Sequence, residues 1–192
     1  MPIPNSRHKL KQLILYVAAK MKDADSFGET KLNKVLFRAD MACYRDLGES
    51  LTDFKFQKNH QGPTLRAFLP ITREMTAQGV LAWNSRFVGS VNENRPIALA
   101  EPDLEAISPQ ERALIDEEIA RAWMLTGGQM SDEEHVTAAW FALRQGETIS
   151  PELCFVENPL NIIPLSEKEE SRAKEAIDRY RARTAVSPDL SA

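Results

Sequence analysis

Apolar positions recur on a helical period over most of this chain and on a two-residue period in two short stretches. In residues 7–21, Leu10, Leu13, Ile14, Val17 and Met21 share one face and predict an amphipathic helix. Residues 22–28 are a polar connection. Residues 30–46 predict a helix of another kind. At 100° per residue, Leu32, Val35, Leu36, Ala39 and Cys43 fall on one face, and Phe37, Met41 and Tyr44 form a second apolar strip. Lys31, Lys34, Arg38 and Arg45 stack as a basic ridge between the two. A helix apolar on two flanks is packed on two flanks, so this one is expected at the centre of the fold. Gly48 ends it in the left-handed cap conformation.

Residues 50–60 alternate, with Phe54 and Phe56 on one side and Lys55 and Gln57 on the other, as a half-buried strand does. His60, Gln61, Gly62 and Pro63 read as a turn, with Pro63 opening a helix over 63–78. Pro70 inside it predicts a kink or a break. Residues 80–100 read as a β-hairpin: Leu81, Trp83, Phe87 and Val91 in the first arm, Asn92, Glu93 and Asn94 at the turn, Ile97 and Leu99 in the second arm. Helices follow. Ser108, Pro109 and Glu111 supply a cap, a first-turn proline and a capping-box glutamate. The buried side of that helix is Leu114, Ile115, Ile119, Ala122 and Trp123, and Gly127 or Gly128 stops it. Ser131 and Glu134 predict a second capping box, opening a helix to Arg144 with Val136, Ala139, Trp140 and Leu143 in register. Residues 148–165 are irregular, Ser166 and Glu169 cap a last helix to about residue 183, and 185–192 read as a disordered tail. The fold class is mainly α (α+β). About six helices and a small antiparallel sheet or hairpin form a single domain over residues 1–184.

The run KLNKVLFRADMACYRDLG within residues 31–48, followed by a strand and a Gly-Pro turn, resembles the signature of the Panacea domain of SocA-like antitoxins. The matching residues are Lys31, Leu32, Lys34, Leu36, Ala39, Asp40, Tyr44, Gly62 and Pro63. Glu134, His135 and Trp140 resemble a later stretch of the same family, less closely. Arg38 stands where the family has an aromatic or apolar residue, and Gln61 where it prefers an aromatic. The resemblance covers residues 10–149. It implies an antitoxin, a small protein that binds and neutralises a cognate toxin encoded beside it. It also implies that related domains neutralise unrelated toxins and that one member acts as a protease adaptor, which adds a protease to the expected partners.

Length and composition agree with a globular, non-membrane protein. The 192 residues suffice for one continuous core, and no apolar run approaches the ~20 residues of a membrane span. The basic N-terminus leads into an amphipathic segment rather than a signal peptide. Two cysteines far apart, Cys43 and Cys154, give no disulfide framework, so reduced thiols and a cytoplasmic location are expected. Charge is uneven. Residues 1–100 carry 15 Lys and Arg against 9 Asp and Glu, a net of +6, while residues 101–192 carry 9 against 19, a net of −10. Uneven solvated charge is the simpler account. The functional one is that an acidic face, with Glu117, Glu118, Glu133 and Glu134, meets a basic toxin.

Catalytic chemistry is not signalled. His8, His60 and His135 lack metal-ligand spacing with the cysteines, and no glycine-rich phosphate loop or serine elbow occurs. No enzyme activity, metal or cofactor is expected. Asp40, at the edge of the apolar face, reads as a structural acceptor before a functional acid. His135 reads as a packing residue in the same way. Affinity for a toxin would rest on a few aromatic or arginine anchors, and Arg38, Arg66, Trp83, Phe87 and Trp140 are the candidates. Trp83 and Trp140 read as core residues before contact residues. The alternative is a winged-helix-like DNA-binding regulator, with 63–78 as recognition helix and 87–99 as wing. That segment offers only Arg66 and Arg73, a thin phosphate footprint, so weak or no nucleic-acid binding is expected. The oligomeric state is left open.

Overall fold

The computed structural model describes residues 5–88, 91–135, 140, 142–156, 171, 172, 174, 175, 178 and 179. Two helices open it, α1 (Ser6–Lys20) and α2 (Glu29–Leu47). All five periodic positions of α1, Leu10, Leu13, Ile14, Val17 and Met21, are buried. So are Leu32, Val35, Leu36, Ala39 and Cys43 of α2, while Phe37 of its second strip packs edge-to-face on Phe56, centroids 5.3 Å apart. α2 touches α1 and α4 as well as β2, β4 and α5, which makes it the central helix that its two apolar flanks predict. Gly48 caps it at φ 83°.

The segment after α2 departs from expectation. The strand expected over 50–60 is only β1 (Phe56–Asn59). Asp40 accepts the Leu51 N–H and the Thr52 hydroxyl accepts the Phe54 N–H, so side chains hold the front half out of the sheet. Pro63 does not open a helix. It lies in β2 (Gly62–Leu65), antiparallel to β1 with Asn59 opposite Gly62. The next helix, α3 (Phe68–Ala77), starts five residues later, which places Pro70 in its first turn, where backbone N–H groups have no partner inside the helix. The kink is therefore unnecessary. β5 (Thr148–Ile149), expected to be irregular, pairs with the other edge of β1 in the order β2-β1-β5.

The hairpin is present as β3 (Leu81–Val88) and β4 (Val91–Ala98). Val88 pairs with Val91, so residues 89 and 90 separate the strands and Asn92, Glu93 and Asn94 belong to β4, not to a turn. Their polarity misled because Glu93 is buried in ion pairs rather than solvated. α4 (Pro109–Trp123) carries the predicted Ser108–Glu111 capping box, but Trp123 is 39% exposed and not on its buried side.

α5 (Gly127–His135) begins where α4 was expected to stop, and Ser131 lies inside it. Thr126 and Gln129 form its capping box instead: the Thr126 N–H donates to Gln129 Oε1 (2.8 Å) and the Gln129 N–H to Thr126 Oγ1 (3.2 Å). Thr126→Ala is expected to cost about 1 kcal/mol, the usual worth of an N-cap, read as a lowered urea midpoint at unchanged slope. Five helices are described rather than about six. Six residues of the expected last helix, from Ser171 to Arg179, are described and helical, and Arg172 donates to the Arg45 and Asp46 carbonyls at the end of α2. The rest of 166–183, the tail 185–192, most of 148–165 after Val156, and Val136 and Ala139 lie outside the described residues.

One core runs from α1 through α2, α3 and the sheets to α4 and α5. The charge imbalance closes on itself at its surface. Lys9 pairs with Glu111 (2.5 Å), His8 with Asp103 (3.1 Å), Lys20 with Asp116 (3.4 Å) and Arg38 with Glu133 (2.8 Å), each linking the basic half to the acidic half. Lys11 and Arg7 also hold the Glu74 carboxyl down at about 2.

Candidate functional site

The residues that stand out in the sequence meet along α2. Asn33 and Asp40 are seven apart, two turns, and therefore on one face. Each receives a backbone N–H from the segment that follows the helix: Asp40 from Leu51 (2.8 Å), Asn33 from Leu65 (3.1 Å). Two polar side chains thus fasten the loop after α2 and the strand β2 onto the helix. Lys34, fully buried, fills the space next to Gly62, where a side-chain Cβ would collide with the Lys34 Nζ. Lys34 and Gly62, 28 residues apart in the motif, are one contact. Asn33 was missed from sequence. Its signal was a polar residue lying between two apolar strips of a buried helix.

Burial pushes the Asp40 carboxyl up to about 7 against the lowering effect of the Leu51 and Thr52 N–H groups and the Ser50 side chain. The folded state then holds this proton more tightly than the unfolded chain does. The corresponding stability is fully present below about pH 4 and is lost as pH rises to about 7. The slope is at most about 1.4 kcal/mol per pH unit. Asp40→Asn keeps an acceptor for the Leu51 N–H and should remove that slope. Unfolding free energies of the two proteins between pH 4.5 and 7.5 should diverge accordingly, and parallel profiles would refute the assignment.

Lys31 and Arg38 of the basic ridge turn inward too, while Arg45, its side chain 42% exposed, pairs with Asp46. Lys31 is 1% exposed, donates to the Ser26 carbonyl (2.6 Å), and has its ammonium pulled down by burial. Arg38 reaches Glu133, which also pairs with Arg121. A phosphate footprint on this ridge is therefore not on offer, and α3 carries only Arg73. On the other side of Lys31 the hairpin grips the α1–α2 connection. Arg95 donates to the Lys22 and Ala24 carbonyls (2.7 and 2.6 Å), Arg86 donates to the Asp25 carbonyl (2.7 Å), and Glu93 accepts the Phe27 N–H (2.8 Å). Burial pushes the Glu93 carboxyl up, but Arg86, the Phe27 N–H and the charge of Arg95 outweigh it and hold it low.

The proposed contact residues are scattered. Phe87 is 79% exposed near the hairpin tip, and Glu117 is exposed on α4. Trp83 packs edge-to-face on Phe68 (6.1 Å) and Arg66 donates to the Gly146 carbonyl (2.8 Å). Trp140 lies under Lys58, whose Nζ is 4.4 Å from the ring centroid and bonds the Trp140 and Leu143 carbonyls. Glu118 is half-buried. The side chains of Glu134 and His135 lie outside the described residues. Both cysteines are free thiols, pushed up to about 12 by burial.

Two depressions flank the hairpin. One, of about 750 Å³, lies among the starts of α2 and α5, Gln61 and β4. The other, of about 430 Å³, lies between α3 and the hairpin, with Phe68, Leu69 and Trp83 in its wall. Glu29 and Asn94 border both. No metal-binding group of three or more His, Cys, Asp or Glu occurs among the described residues. No described helix is long and apolar enough to cross a membrane.

A family model described as antitoxin SocA-like, Panacea domain, matches residues 32–141, more than half of the chain. No curated protein and no solved structure matches.

Proposed function

The chain belongs to the SocA-like, Panacea-domain antitoxin family, and from that premise we propose that it acts in the cytoplasm as an antitoxin, neutralising a cognate toxin by direct binding. The observation that carries the reading is the family match over the region that contains α2, the Gly62–Pro63 strand and the hairpin. The chemistry of these residues favours binding over turnover. Asp40 is 4% exposed and engaged by the Leu51 N–H, so it supports the scaffold and offers no acid to a substrate. Phe87, exposed beside that scaffold, is an aromatic of the kind enriched at protein interfaces.

The test is co-expression with the product of the adjacent gene. Growth should be arrested by that product alone and restored by this chain, and the two should co-purify. Growth arrest persisting with both proteins present and no complex formed would defeat the proposal. The purified chain should show no turnover of its own. A hydrolytic activity abolished by Asp40→Asn in a folded protein would move the reading to an enzyme.

A further inference from the structure

We propose that the trough between α3 and the hairpin receives a linear segment of the partner, one large apolar side chain flanked on one side by an acidic residue and on the other by a basic residue. This deepens the antitoxin reading and rests on it in assigning the segment to the toxin. The trough has an apolar wall, made by Phe68, Leu69 and Trp83. Leu69 is 53% exposed although it stands in the first turn of a helix that buries Phe68, Ile71 and Met75. The apolar part is bordered by two opposite charges, Arg73 and Glu29. Neither makes an ion pair among the described residues, whereas Arg7, Lys9, Lys11, Lys20, Arg38 and Arg86 all do. The trough therefore presents one charge of each sign beside exposed apolar surface.

That combination selects its occupant. An apolar side chain on the wall removes Leu69 and Trp83 from water, a gain proportional to the area covered. A carboxylate reaching Arg73 and a cation reaching Glu29 fix the direction of the segment, since reversal places like charges together. A linear segment suits the site, because its apolar wall and both charges border one depression of about 430 Å³. Asn94, shared with the neighbouring depression, offers a side-chain amide to a peptide backbone passing from one to the other.

Random linear peptides displayed on phage, selected on the purified full chain, test the site without any toxin. Enriched sequences should carry an apolar residue between an acidic and a basic one. Synthetic peptides of that sequence, followed by fluorescence anisotropy, should lose about tenfold or more in affinity on Leu69→Glu and on Arg73→Glu, roughly the worth of one good interfacial contact. Both positions are on the exposed side of α3, so folding is expected to persist, and an unfolding midpoint checks this. Changing the peptide's acidic residue to lysine should restore binding to Arg73→Glu and weaken it to the parent protein. Absence of any enriched sequence, or an affinity for both variants equal to that for the parent protein, would overturn the site. A dimer dissolved by the same substitutions would place a second copy there and overturn it as well. If the parent chain rescues cells and the Leu69→Glu, Arg73→Glu double variant rescues them equally, the trough does not take the toxin. If the parent chain itself fails to rescue, the antitoxin reading falls, independently of the peptide result.

Discussion

Gly62→Ala is expected to lower stability by about 4 kcal/mol, a large part of the roughly 5–15 kcal/mol that keeps a domain folded. Two costs add. Gly62 sits at φ +112°, where a side chain strains the backbone by about 1–3 kcal/mol. The new Cβ would also occupy the place of the Lys34 Nζ, so a fully buried ammonium must leave its seat, on the order of 1–3 kcal/mol more. Equilibrium urea unfolding measures the sum. The mechanism is separable by Lys34→Met, which removes the ammonium beside Gly62. The double variant should be less damaged than the two single effects added together. A Gly62→Ala midpoint equal to that of the parent would show that the Lys34–Gly62 contact does not exist in solution.

Glu93→Ala is expected to cost about 3–5 kcal/mol, the usual penalty for removing one partner from a buried ion pair. Glu93 is 8% exposed and Arg95 9%, so water cannot take over the lost contacts. The change removes the acceptor of the Phe27 N–H and the carboxylate facing both Arg86 and Arg95. Glu93→Gln retains an acceptor for Phe27 without the charge and should fall between Ala and the parent. The damage should be local before it is global. Amide exchange in residues 21–28 should speed up in both variants while the centre of α2 stays protected. Uniform acceleration across α2 would mean that the hairpin does not hold the α1–α2 connection separately.

What the sequence displays of this fold follows from where its side chains find their partners. α1, α2 and α4 are legible because their apolar residues repeat on the helical period, and Ser108 and Glu111 announce a start in two adjacent hydrogen bonds. Pro63 was misplaced because Gly-Pro suits a helix start as well as a turn, and pairing with β1, a partner in space, decides for the strand. The hairpin turn was misplaced because Asn92, Glu93 and Asn94 look solvated. Only the arginines at 86 and 95 make Glu93 a buried strand residue. Thr126–Gln129 was overlooked beside two glycines that resemble a stop signal. The motif along α2 was legible as residues but not as contacts, since Lys34 meets Gly62, and Asn33 meets Leu65, only after the chain doubles back. The acidic surface shows the same limit. Its excess charge was visible, but its use in holding α1 was not. Of the acidic residues proposed for a partner, Glu133 is already committed to Arg38 and Arg121.

The long reach of those α1 contacts sets a clock on biosynthesis. Lys9 meets Glu111, and Tyr16 meets Asp116 (2.8 Å), across separations of 102 and 100 residues. Ribosomes add about 5–20 residues per second in the regime where domains fold during synthesis. The first helix to emerge therefore waits roughly 5–20 seconds for its polar partners on α4. During that wait Leu10, Leu13, Ile14 and Val17, all buried in the finished protein, have no α4 to complete their cover. An early stop before α4 would yield a fragment whose first helix lacks the Glu111 and Asp116 partners that close over it.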